Sequence, residues 1–165
     1  MAGLFLEAAG PARVAESWER YAQPARWPDW APQVHRVRID ANADAGIDAD
    51  ADADADIDGG ARGEGGADGE RIHPGMTGEV RSFLPPAARF VITSVDELSH
   101  TWSWRVSIGP VRLTLDHGVE PCLDAGTTTW LRLRGPLPIV LAYAPLARLA
   151  LRRLVRAEAP ATLAP

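Results

Sequence analysis

The chain contains no lysine; all 17 of its basic residues are arginine, a bias that reflects coding composition more than any physical demand. Cysteine is almost absent as well. Cys122 stands alone, which excludes an intramolecular disulfide and fits a reducing, cytoplasmic location. No hydrophobic run is long enough for a bilayer: the most apolar tract, Leu137 to Leu151, is broken by Pro138, Pro145 and Arg148. It falls short of the roughly 20 residues a spanning helix needs, so no stable membrane insertion is expected. The opening MAGLFLEAAG lacks the basic start and long apolar stretch of a signal peptide. Familiar catalytic signatures are missing too, with no G-x-S-x-G, no H-E-x-x-H, no P-loop and no Cys/His pair of recognised spacing. The arginines are scattered along strand-like segments of a chain with formal net charge −5, so no nucleic-acid partner is expected.

Charge is distributed unevenly. Residues 40–70 hold eleven acidic side chains against Arg62 alone, a local charge of −10 that leaves +5 on the other 134 residues. This stretch has no aromatic residue, and Ile47 and Ile57 are its only large apolar groups. It therefore has too little apolar surface to offset the entropy lost on ordering, and residues 41–70 are expected to be disordered. Asp54-x-Asp56-x-Asp58-Gly59 matches the opening of a calcium-binding EF-hand loop, but Gly65 stands at the twelfth position, where a bidentate Glu is needed. Asp at alternate positions from 48 to 58 reads as a low-complexity expansion, and no metal site is assigned.

The rest is patterned. Residues 4–8 read as a short first strand, and Gly10-Pro11 opens a helix in which Val14, Trp18 and Tyr21, with Ala15 and Ala22, form one apolar face. On that helix Arg13, Glu16, Glu19 and Arg20 fall mostly on the other side, and Pro24 ends it. ARWPDWAP (25–32) is too irregular for a long helix and too aromatic for a solvent loop, so it reads as a docked corner. Period-two alternation marks strands at 33–40, 76–83, 88–95, 101–108, 111–120 and 127–134, joined by short turns, which is the pattern of an antiparallel meander. Trp102, Trp104, Val106 and Ile108 share one face; Val111, Leu113, Leu115 and Val119 share another, with His117 in phase. In 127–134, Leu131 and Leu133 point one way and Trp130, Arg132 and Arg134 the other. Residues 137–158 read as an amphipathic helix whose stripe includes Val140, Tyr143, Ala147, Leu151 and Leu154, with a kink at Pro145. One sheet and one long helix must curve together to bury their apolar faces.

PARVAESWERYAQPARWPDWAPQVHRV (11–37), PGMTGEV (74–80), WSWRV (102–106) and LDHGVEP (115–121) resemble motifs of the START-like or SRPBCC superfamily, in particular its polyketide cyclase/dehydrase branch. The resemblance implies an α+β helix-grip fold: a curved antiparallel sheet of six to seven strands around a long C-terminal helix, with short helices after the first strand. It implies one START-like domain over 1–165, interrupted by the insert at 41–70. It also implies a cavity between sheet and helix for a small hydrophobic molecule, a lipid or an aromatic. From the face assignment its walls are Trp102, Trp104, Leu113, Leu115, His117, Leu131, Leu133, Val140, Tyr143 and Ala147, with Met76, Val80, Phe90 and Ile92 added.

The expected function is binding of that molecule without cofactor. The alternatives are a cyclase, dehydratase or aromatase in which His117 and Tyr143 move protons, and a regulatory or stress-response interaction domain. Beside its catalytic reading, His117 has a plain one as a packed core histidine. Trp27 and Trp30 either gate the cavity mouth or anchor the helix to the sheet. His35, His73 and His100 fall at strand edges or turns and read as solvated. No oligomeric state is read from the sequence.

Overall fold

Seven strands form one antiparallel sheet in the order β1-β7-β6-β5-β4-β3-β2. The computed structural model describes residues 1–41, 69–83, 86–124 and 126–158. The strands are β1 (Ala2–Gly10), β2 (Arg36–Ile39), β3 (Thr77–Arg81), β4 (Ala88–Asp96), β5 (Thr101–Ile108), β6 (Val111–Pro121) and β7 (Thr127–Gly135). Helix α1 (Val14–Ala22) follows β1, a single 3-10 turn (Pro24–Arg26) leads into the one-turn α2 (Trp27–Trp30), and α3 (Leu137–Leu154) closes the fold. No helix among the described residues is long and apolar enough to cross a membrane. The segments expected as strands 4 to 7 are found within two residues of their ends, because alternation and short turns act locally there. At Asp96 the β4–β5 turn is held by its carboxylate accepting the N–H groups of Leu98 and Ser99 at 2.9 and 3.1 Å, and His100 adopts φ +51° to close it.

The first strand is longer than its apolar pattern indicates. It pairs with β7 over its whole length, from Ala2 opposite Gly135 to Gly10 opposite Thr127. Its flanking residues carry little hydrophobic signal because the ladder with β7, and α3 packed over it, define the strand. β2, by contrast, shrinks to Arg36–Ile39, and α3 stops at Leu154. Residues 42–68 of the 41–70 insert lie outside the described residues, and the expectations of disorder and of a poor EF-hand match fall there with them. Its near flanks are tied down: Asp40 accepts hydrogen bonds from Thr77 Oγ1 and Arg89 at 2.8 and 2.7 Å, and the Ile72 N–H reaches Ala22 O at 2.8 Å.

Inside the curve, α1 buries Trp18, Tyr21 and Ala22, as its pattern predicts. It also buries Arg20, which the pattern places on the polar side, while Ala15 stays exposed. The reason lies at the far end of the chain. Arg20 donates to the carbonyl oxygens of Leu154 and Arg156 and to Glu16, while the Ala12 N–H reaches Val155 O at 3.0 Å, so α1 caps the end of α3. Along α3, Val140, Ala147, Ala150, Leu151 and Leu154 face inward, and Leu137, Leu141 and Leu149 remain on the outer face beside the arginines.

Candidate functional site

A cavity of about 320 Å³ lies between the inner sheet face, the α2 corner and α3. The alternation of β5 and β6 supplies its floor: Trp102, Trp104, Val106 and Ile108 from one strand, and Leu113, Leu115 and His117 from its neighbour. Register fixes their pairing, with Trp102 opposite His117 and Trp104 opposite Leu115. The roof is the inward side of α3, with Ile139, Tyr143, Leu146, Ala147, Ala150 and Leu151. Trp27, Trp30, Ala31, Gln33 and Val34 close one side, and Val80, Ser82, Pro86 and Ala88 another. Among the described residues, none that lines the cavity is Asp, Glu, Arg or Lys.

Of the fourteen residues expected on the walls, nine are there: Val80, Trp102, Trp104, Leu113, Leu115, His117, Leu131, Tyr143 and Ala147. Met76, Phe90, Ile92, Leu133 and Val140 are on the inner side but are buried in the core, away from the cavity. Face assignment locates a side chain above or below a sheet and says nothing about what lies over it. Phe90 is covered by the rings of Trp27 and Trp104, with centroids 5.6 Å away in each case. Met76 and Ile92 are joined by the Ile92 N–H bonding Met76 O at 2.8 Å, and neither is more than 1 % exposed. α3 packs on β1 and β7, which closes the region of Leu133 and Val140.

Of the fourteen lining residues outside the expected set, five come from the corner and the residues just after it: Trp27, Trp30, Ala31, Gln33 and Val34. Trp27 and Trp30 act as anchors, their indole N–H groups donating to Tyr21 O at 2.9 Å and Arg20 O at 3.1 Å. Their rings are at the same time part of the wall. Gln33, immediately after the corner, carries no apolar signal and is found only through the fold. Val106 and Ile108 were in phase with Trp104 and were available from the alternation alone.

His117 sits at the centre of an aromatic stack. Its ring lies parallel to Trp102 at 4.6 Å and 5.2 Å from Tyr21, and Trp104 Nε1 donates to its Nε2 at 3.2 Å. Burial penalises the imidazolium and lowers the pKa to about 3, opposed weakly by Asp116, so the ring is neutral at physiological pH. With Nε2 accepting, the ring proton is on Nδ1. Tyr143 is likewise held neutral, its pKa raised by burial to about 12, and its hydroxyl takes a 2.6 Å hydrogen bond from Gln33 Nε2. His117 and Tyr143 thus share the cavity but have separate partners. Tyr21 lies behind the site, its hydroxyl donating to Thr129 Oγ1 at 2.8 Å while Thr129 donates to Gly118 O at 3.0 Å.

Among the described residues, three buried side-chain polar atoms have no hydrogen-bond partner: Gln33 Oε1, Trp102 Nε1 and His117 Nδ1. All three belong to cavity-lining side chains. Leaving such a group unpaired costs about 1–3 kcal/mol. No group of three or more His, Cys, Asp or Glu among the described residues is placed to hold a metal ion.

A seven-stranded antiparallel sheet curved round a C-terminal helix, with short helices after the first strand, is the helix-grip fold expected from the sequence. Solved structures share it. Ara h 8.0201 superposes with a TM-score of 0.61 at 12% identity, over 93% of this chain and 94% of that one. A hypothetical protein from Helicobacter pylori gives 0.68 at 8%, over 93% and 86%. The di-domain ARO/CYC BexL of the BE-7585A biosynthetic pathway gives 0.65 at 15%, over 94% of this chain and 45% of its own, so this chain spans about half of that protein. At such identities the likeness is one of fold. No protein-family model and no curated protein matches the sequence.

Proposed function

We propose that this chain binds a small hydrophobic or aromatic molecule in the cavity between the sheet and α3. The observation that carries the reading is the cavity itself: about 320 Å³ of space walled by aliphatic side chains and four indoles. Protein interiors are close-packed, and an apolar void of this size forfeits the dispersion contacts its lining would otherwise make. Its volume is at the lower end of the range of small-molecule sites, about 300–1,000 Å³. Native mass spectrometry of protein purified from its own host is expected to show an additional mass that organic extraction removes. The extracted protein should then take up a neutral apolar dye saturably. Absence of both would overturn the reading.

A second reading, proton transfer as in a cyclase or dehydratase, draws support from His117 and Tyr143 lining one cavity and from the fold shared with an ARO/CYC protein. Burial weighs against it, because an imidazole held neutral down to about pH 3 is a weak base for substrate protons. His117→Ala separates the two. On the binding reading dye uptake survives the change, whereas on the catalytic one turnover disappears while the fold persists.

A further inference from the structure

We propose that two copies of this chain associate through the free edge of β1, pairing antiparallel about a two-fold axis so that the two sheets run on as one. No residue of β1 lines the cavity, and the inference is independent of what the cavity binds. Two observations carry it: the direction of the backbone groups along β1, and the lack of anything on that strand that blunts an edge.

The direction follows from one hydrogen bond. The Cys122 N–H donates to Gly126 O at 3.1 Å, just beyond the last register pair of β6 and β7, Pro121 with Thr127. Bonded and non-bonded pairs alternate along an antiparallel ladder, so the even-numbered residues of β7, from Thr128 to Arg134, turn their N–H and C=O groups towards β6. The Val119 N–H agrees, donating to His100 O at 3.0 Å on the opposite side of β6. The odd-numbered residues of β7 therefore face β1, where their partners are Ala2, Leu4, Leu6, Ala8 and Gly10. Gly10 O accordingly lies against Gly126. What is left on β1 is the backbone of Gly3, Phe5, Glu7 and Ala9, whose N–H and C=O groups point off the sheet. β1 is an end strand, all four residues are exposed, and among the described residues no backbone group from outside the sheet bonds them.

The two edges of the sheet are unlike. β2 is four residues long and carries Arg36 and Arg38. β1 runs for nine residues opposite β7 with no shift of register, contains no proline and no basic residue, and has Glu7 as its only charge. Long, regular, apolar edges offer a row of unmet donors and acceptors to another strand, and folded proteins shorten, kink or charge those that stay single. Apolar surface lies beside this one. Phe5, stacked on Trp130 at 6.2 Å, is still 53% exposed, and Leu137, two positions beyond the Gly135 that pairs with Ala2, is 55% exposed. A second copy is the occupant that fits, because an antiparallel edge is its own complement under a two-fold axis. With Leu6 on the axis, Gly3 faces Ala9 of the second copy and Phe5 faces Glu7 of the second copy, which engages every outward residue of both strands. Centring on Glu7 instead would set two carboxylates opposite each other.

Sedimentation equilibrium of the full chain at roughly 100 µM, enough to populate a micromolar dimer, tests this. A mass of twice the 17.7 kDa of one chain is expected. Phe5→Glu sets carboxylates face to face on both sides of the axis and is expected to give a monomer at the same concentration. Glu7→Pro, which removes an outward N–H and leaves the β7 ladder intact, is expected to do the same. Adding Glu7→Lys to Phe5→Glu turns both clashes into ion pairs and is expected to restore the dimer, a rescue that belongs to the register with Leu6 on the axis. Circular dichroism checks that each variant keeps the fold. A monomeric parent chain would overturn the proposal, as would a dimer that survives in either single variant while folded. A folded double variant that stays monomeric would overturn it too. None of these outcomes bears on the binding reading.

Discussion

His117 shows how one position is governed by its surroundings. In the unfolded chain an imidazole takes up its proton near pH 6.5, whereas in the fold burial delays this to about pH 3. Between those limits the unfolded state binds more protons, so acidification favours unfolding. The expected loss of stability from about pH 7.5 to about pH 5 is about 2 kcal/mol from this group. Denaturant titrations at the two pH values measure it, and His117→Leu should flatten the difference. The alternation of β6 placed His117 among Leu113, Leu115 and Val119, so its face was legible in the sequence. Its partners were not. Trp104, Trp102 and Tyr21 surround it only because β5 pairs in one register and α1 lies across the sheet.

Elements differ in how locally they are specified. β4 to β7 are defined by alternation and by turn residues within a few positions, and their extents follow from the sequence. α1 is an amphipathic helix by its own pattern, yet Arg20 on it belongs to the end of α3 and is buried there. Replacing it removes the guanidinium donors from the carbonyls of Leu154 and Arg156 and from the Glu16 carboxylate, leaving Leu154 O only Ser17 Oγ at 3.4 Å and Glu16 only the Glu158 N–H at 3.2 Å. Arg20→Leu is accordingly expected to cost about 2–4 kcal/mol, read from the denaturation midpoint. Arg20→Lys should recover only part of the loss, since an ammonium replaces a planar fork that reaches several acceptors at once. β1 is the opposite case: its pattern reads as five residues, and pairing with β7 extends it to nine.

At the scale of the whole molecule, we propose that residues 1–165 form one domain carrying the acidic stretch as an insert. Both flanks are tied to the fold, through Asp40 on one side and through Arg71 and Ile72 on the other, where Arg71 pairs with Glu19 and Glu97. Deleting residues 42–68 and joining Ala41 to Gly69 is expected to change the melting temperature by no more than about 3 °C, because loop length enters closure entropy only logarithmically. Differential scanning calorimetry of the deletion checks this, and a fall of many degrees would show that the stretch is integral to the fold.

The sequence by itself determined the strand meander, the apolar faces of β5, β6 and β7 and the amphipathic helices, because these depend on residue periodicity, while the helix-grip class followed from the resemblance of its motifs. The tertiary structure alone decided where the space lies. A side chain's face follows from its parity along a strand, but whether it meets a void or a ring depends on what a distant segment lays over it. Trp27 covers Phe90 and removes it from the wall, while the same corner brings Gln33 to Tyr143, 110 positions away. The −10 and +5 portions of the chain could be separated by composition, but the absence of charge from the cavity could not. Among the described residues, the arginines and carboxylates all lie outside the set of side chains that line it.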